Sequence, residues 1–97
     1  MHVISKKRLR EFWQRWPEAE TPLRAWYQVT SHATWAKFAD IRQTYPRADQ
    51  VGQCTVFDIG GNKFRLVVVV RFECGRVYVR HVLTHDEYDR GKWKEGC

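Results

Sequence analysis

The 97-residue chain carries 17 Lys and Arg against 11 Asp and Glu, a formal net charge of +6, and its length suits one domain, 1–97, with one core. With 43% hydrophobic and 14% aromatic residues it is not a disordered tract, and the aromatics alone supply enough apolar area to fold without staples, at on the order of 150–250 Å² each. The longest apolar run, Leu66 to Val70, is far below the ~20 residues of a membrane span, and charged residues follow Ile4 too closely for a signal peptide.

His2-Val3-Ile4 suits an edge strand. Ser5 then stands where a helix cap belongs, and Leu9, Phe12, Trp13 and Trp16 recur at helical spacing until Pro17. Lys6, Lys7 and Arg8 fall in the first turn, where the helix dipole disfavours cations, so they are read either as a solvated end or as a basic cluster for phosphate. Thr21-Pro22 predicts the N-cap and first residue of a second helix with Leu23, Trp26, Tyr27 and Thr30 on one face. A break is expected over Ser31–Thr34, after which Trp35, Phe38, Ile41 and Tyr45 continue the stripe to Pro46. These aromatics keep the helical stripe and are assigned to the core.

Beyond Gly52 the period changes to two. Cys54–Ile59, Phe64–Phe72 and Arg76–Leu83 read as three strands, with turns at Gly60-Gly61-Asn62 and Cys74-Gly75. Turns this short make the strands antiparallel. The chain is therefore expected to be α+β, with its N-terminal helices on one face of a three- to four-stranded antiparallel sheet.

A two-residue turn at Cys74-Gly75 would pair Val70 with Val79, Val68 with His81 and Leu66 with Leu83, an apolar face for the helices that includes His81. The other face would carry Arg65, Arg71, Tyr78, Arg80 and Thr84. A turn at Gly61-Asn62 puts Asp58 opposite Arg65 on that same face. An arginine cluster beside an aromatic suits phosphate binding and base stacking, although a solvated sheet face is polar in any case.

Thr84-His85-Asp86-Glu87-Tyr88-Asp89 closes the sheet. Thr84 suits the cap of a short helix or turn, with Asp86 and Glu87 at its N-terminal dipole, and His85 should emerge near Arg65. RNA cleavage through the 2′-hydroxyl needs a base, a cation for the phosphorane and an acid for the leaving oxygen. Histidine is the side chain that titrates nearest neutrality, and arginine keeps its charge while clamping phosphate.

Cys54, Cys74 and Cys97 are odd in number and far apart, with neither a disulfide framework nor metal-ligand spacing. No cofactor is expected. The cysteine usage suggests a reducing compartment, hence the cytoplasm. The positive excess favours polyanionic partners, nucleic acid above all.

Val56-Phe57-Asp58-Ile59-Gly60-Gly61-Asn62-Lys63-Phe64-Arg65-Leu66-Val67 and Tyr78-Val79-Arg80-His81-Val82-Leu83-Thr84-His85-Asp86-Glu87-Tyr88-Asp89 resemble the HigB family of toxin–antitoxin toxins, as does the opening Met1-His2-Val3-Ile4-Ser5. The resemblance implies a RelE/ParE-like fold, ribosome-dependent cleavage of mRNA without a metal, and silencing by a separately encoded, HigA-like helix-turn-helix antitoxin. By motif it implies catalytic roles for His85, Arg65, Arg80 and Tyr88. It adds Lys63 as a weaker candidate for phosphate binding, beside Arg71 and Tyr78 of the basic sheet face and Lys6, Lys7 and Arg8 of the first helical turn, which the residues themselves suggest for RNA binding. Two other readings suit the same scaffold: a non-catalytic inhibitor of a target such as DNA gyrase, and a plain RNA-binding module.

Overall fold

A computed structural model describes all 97 residues. Helix α1, Lys6–Arg15, follows Ser5 and buries Leu9, Phe12 and Trp13. Trp16, expected on that buried stripe, instead leaves the helix with φ −126° and ψ 80° and keeps 37% of its surface exposed. A 3₁₀ turn, Pro17–Ala19, runs straight into α2, Glu20–His32. The cap of α2 is therefore Ala19 rather than Thr21, and Pro22 lies inside the first turn, where no intrahelical acceptor is needed. Helix α3, Phe38–Thr44, is shorter than its stripe. Trp35 precedes it but still reaches the core, stacking on Phe57 at 6.3 Å and meeting Tyr45 edge-on.

The strands are β1, His2–Ile4; β2, Asp49–Val51; β3, Cys54–Ile59; β4, Phe64–Arg71; and β5, Arg76–Thr84. They form a five-stranded sheet in the order β1-β5-β4-β3-β2. Three consecutive pairs are antiparallel, and β1 joins β5 in parallel. The sheet thus exceeds the expected four strands by β2, a three-residue edge too short and polar to show alternation. Helices α1 to α3 share one face of the sheet, and the main core lies there, with Leu9, Leu23, Trp26, Ile41, Phe57 and Leu66 among its buried residues.

The β3–β4 hairpin has the expected register, with Asp58 opposite Arg65. The β4–β5 hairpin does not. Its turn is a 3₁₀ segment, Phe72–Cys74, closed by Gly75 in the left-handed region at φ +65°, so Val70 faces Val77 and Val68 faces Val79. A bulge then intervenes, because Val67 faces His81 and leaves Arg80 as the extra residue. Its freed carbonyl accepts from Arg8 Nη1 at 2.7 Å. The bulge exchanges the faces of everything beyond it. Val82 now faces Leu66 and packs into the main core, whereas His81 and Leu83 join Val67 and Arg65 on the opposite face. His81 consequently leaves the main core and lines two clefts, one with Arg8 and Phe12 of α1 and one with Leu83 and Trp93.

That opposite face is not left open. Helix α4, His85–Arg90, and a 3₁₀ segment, Lys92–Gly96, fold back across it. Trp93 is buried there with Cys54, Val56, Val67 and Val69, flanked by Tyr78, Leu83 and Tyr88. The chain end is tied down twice: Gln53 N donates to Cys97 O at 3.0 Å, and Cys97 is disulfide-bonded to Cys54. Gly52 sits at φ +57°, where a Cβ would collide with the Cys97 carbonyl. The expectation of no disulfide is therefore corrected. The two cysteines are 43 residues apart and meet only because the C-terminal strap returns to the start of β3. Cys74 is free and exposed.

Candidate active site

The motif residues gather in three places rather than one. The first lies at the start of α4. Thr84 caps this helix through a reciprocal box: its Oγ1 accepts from Glu87 N, and its own N–H donates to Glu87 Oε1 at 2.9 Å. The His85 N–H donates to Lys63 O at 3.1 Å, fixing the helix start against the β3–β4 turn. The His85 side chain is half exposed, and its Nδ1 lies 2.9 Å from Asp89 Oδ2, one turn along. A proton on Nδ1 shared with that carboxylate leaves the lone pair on Nε2. Asp89 stands in the family motif, but only its (i, i+4) spacing from His85 hinted at this pairing.

His85 and Lys63 line the same cleft, of about 520 Å³, with Arg15, Trp16 and Arg90. Lys63 Nζ is 3.5 Å from Glu18. This cleft opens where β4 begins and β5 ends, beside the C-terminus of α1.

The second place is the strapped face. Arg65 Nε pairs with Asp58 Oδ1 at 3.1 Å, and only 12% of its side chain is exposed. Its Nη1 donates to the carbonyls of Asn62 and Phe64, and its guanidinium lies 5.1 Å from the Tyr88 ring centre. Tyr88 in turn stacks on Trp93 at 4.9 Å, and burial raises its phenol pKa above the ordinary value, outweighing the opposing pull of Arg65. The phenol therefore stays protonated near neutral pH. His85 and Arg65 are both anchored on the β3–β4 turn, through Lys63 O and Asn62 O, but share neither a hydrogen bond nor a cleft. Arg65 faces Leu83 and belongs to the strapped face, while His85 lines the cleft that holds Phe64, on the helix side.

The third place is a basic groove of about 550 Å³ beside β1 and the N-terminus of α1, where Arg8, Arg71, Tyr78 and Arg80 line one wall. Strand β1 covers β5 only from Arg76 to Tyr78, so Arg80 stands where β5 becomes a sheet edge. Along the strand it is about 10 Å from Leu83, the residue opposite Arg65. Arg80 and Arg65 are thus not one cluster. Lys6 lies over the Tyr27 ring at 4.7 Å, and Lys7 is exposed on α1. Neither lysine lines the groove. No helix of the chain is long and apolar enough to cross a membrane.

Residues 19–91 match the HigB toxin family, described as the RelE-like toxic component of a toxin–antitoxin system. The chain is similar to the mRNA interferase toxin HigB of Escherichia coli (strain K12), 33% identical over 92 residues that cover 92% of this chain and 88% of that protein. An mRNA interferase HigB of Shigella flexneri matches with the same identity and coverage. The mRNA interferase HigB of Escherichia coli O6:H1 is 29% identical over 93 residues, covering 93% and 90%. With an α+β architecture of helices against a largely antiparallel sheet, and motifs spanning its closing hairpin and α4, the chain belongs to the HigB family of RelE-like toxins.

Proposed function

We propose that this toxin is an endoribonuclease that cuts mRNA on the ribosome without a metal and is held silent by a cognate antitoxin. The observation that carries the reading is the His85–Asp89 pair at 2.9 Å, which leaves imidazole Nε2 free in the cleft shared with Lys63. In this reading Nε2 takes the proton of an RNA 2′-hydroxyl, and the 2′-oxygen attacks the adjacent phosphorus. The bond from phosphorus to the 5′-oxygen breaks, and a proton returns to the departing oxygen. The products are a 2′,3′-cyclic phosphate and a 5′-hydroxyl. Lys63 stabilises the phosphorane as a point charge. Arg65 and Tyr88 act as positioning residues that hold α4 to the sheet. The groove of Arg8, Arg71 and Arg80 takes phosphates of ribosomal or messenger RNA, in keeping with the net charge of +6. The naming of the similar proteins as mRNA interferases supports the same activity.

The test is to induce the wild-type chain and His85→Ala in bacteria and map mRNA 5′-ends within minutes. New ends inside translated frames, absent from the folded variant, are expected. Intact mRNA with arrested growth would overturn the reading in favour of another target such as DNA gyrase. RNA binding without cleavage or growth arrest would leave a plain binding module.

A further inference from the structure

We infer that Trp16 forms the floor of a nucleobase subsite beside His85, taking an unstacked base of the single-stranded RNA next to the bond that is cut. The inference rests on the nuclease reading for its catalytic meaning, but its geometry is independent of it. Trp16 and Val29 are the only exposed large hydrophobic residues, and Trp16 lines the cleft that contains His85. Its indole is backed by two aromatic rings. Phe12 stacks on it at 6.5 Å, Phe64 meets it at 6.3 Å, and Phe12 and Phe64 are themselves packed edge to face at 5.4 Å. A partly exposed indole backed in this way is an aromatic platform of the kind on which splayed bases stack.

The rim of the cleft indicates which part of a nucleotide it suits. Three cations, Arg15, Lys63 and Arg90, are matched by three carboxylates, Glu18, Asp86 and Glu87. A cleft given over to several backbone phosphates would carry a surplus of positive charge, as the Arg8, Arg71 and Arg80 groove does. A balanced rim of donors and acceptors around an aromatic floor instead matches the edge of a base, whose amino groups donate and whose ring nitrogens and carbonyls accept. The two sites thus divide the work: the groove holds flanking backbone phosphates, and the cleft holds the scissile phosphate at Lys63 and a base on Trp16. With that base on Trp16, the attached ribose lies on the His85 side of the same cleft.

The test compares wild type, Trp16→Ala and Trp16→Tyr in steady-state cleavage on translating ribosomes. It also follows the Trp16 indole N–H by NMR, assigned by its loss in Trp16→Tyr, during titration with a 2′-O-methyl RNA hexamer, which lacks the attacking hydroxyl. Stacking on an aromatic side chain contributes roughly tenfold to hundredfold to binding. Trp16→Ala should therefore raise KM by at least about tenfold with kcat little changed, Trp16→Tyr should restore most of the loss, and the indole resonance should move on titration. A stationary indole together with a wild-type KM in Trp16→Ala overturns the subsite. So does a loss confined to kcat that tracks a lowered Tm, because that is what a purely structural role predicts. A wild-type chain that cleaves nothing removes the nuclease reading alone. The indole then decides the subsite by itself, upheld if it moves and lost if it does not.

Discussion

Asp58 and Arg65 face each other across β3 and β4 and form an ion pair at 3.1 Å that continues through Arg65 to Tyr88 and from Tyr88 to Trp93. This chain of contacts fastens α4 and the C-terminal strap to the sheet, so Arg65 carries a structural duty whatever it does to RNA. The pair is only partly exposed, which places its worth between the limits for surface and buried pairs. Asp58→Asn should lower the unfolding free energy by about 2 kcal/mol, read from denaturant midpoints at constant m-value. Arg65→Ala should lose at least as much, and its activity has meaning only beside that measurement. A wild-type midpoint for Asp58→Asn would show that Tyr88 and the carbonyls of Asn62 and Phe64 suffice to hold the guanidinium.

The His85–Asp89 pair should behave in the opposite way. Both side chains are half exposed, so His85→Ala and Asp89→Asn should each change stability by no more than about 1 kcal/mol. In single-turnover cleavage on programmed ribosomes, His85→Ala should lose at least about 100-fold, the lower range for a general base. Asp89→Asn keeps an acceptor for Nδ1 but loses the charge, and about a tenfold loss is expected. Wild-type cleavage in His85→Ala would remove the imidazole from the chemistry.

Sequence patterns reached the local devices and missed the long-range ones, for reasons visible in particular residues. Gly61-Asn62 sets a two-residue turn, so the Asp58–Arg65 pairing could be counted outward from it. The Thr84 capping box lies within four residues and was equally legible. The second hairpin was not, because Val79, Val82 and Leu83 are apolar on both parities and conceal the bulge at Arg80. That single inserted residue is what moves His81 off the face expected for it. The strap and the Cys54–Cys97 bond depend on the chain end returning to β3, which no local spacing encodes. Trp16 kept helical spacing with Phe12 and Trp13, but α1 ends one residue before it.

Reduction of the Cys54–Cys97 bond should loosen the strap measurably. The bond closes a loop over a 43-residue separation, and constraint of the unfolded chain by a loop of that size is worth roughly 2–4 kcal/mol. For a domain of this length the Tm should fall by at least about 8 °C in dithiothreitol. Cys97→Ser should show the lowered value in either buffer. Amide exchange over residues 92–97 should speed up in parallel. An unchanged Tm with continued protection there would mean that Trp93, buried and donating from Nε1 to Tyr88 O at 2.9 Å, holds the strap without the covalent tie.

His81 should make stability fall on mild acidification. Burial, and then the charges of Arg80 and Arg8, lower its pKa below the ordinary value. Between the unfolded pKa, near 6.5, and this lower folded value, the unfolded chain binds more protons than the native one. The contribution is thus fully present above pH ~6.5, declines as pH falls through that window, and is constant again below the folded pKa. Proton NMR of the imidazole should give a midpoint below 6.5. His81→Gln should lose this part of the slope of Tm against pH, with its deficit relative to wild type shrinking as the pH is lowered. A midpoint at or above 6.5 would mean that the bulge leaves the ring in water, despite the Arg80 and Arg8 guanidinium groups beside it.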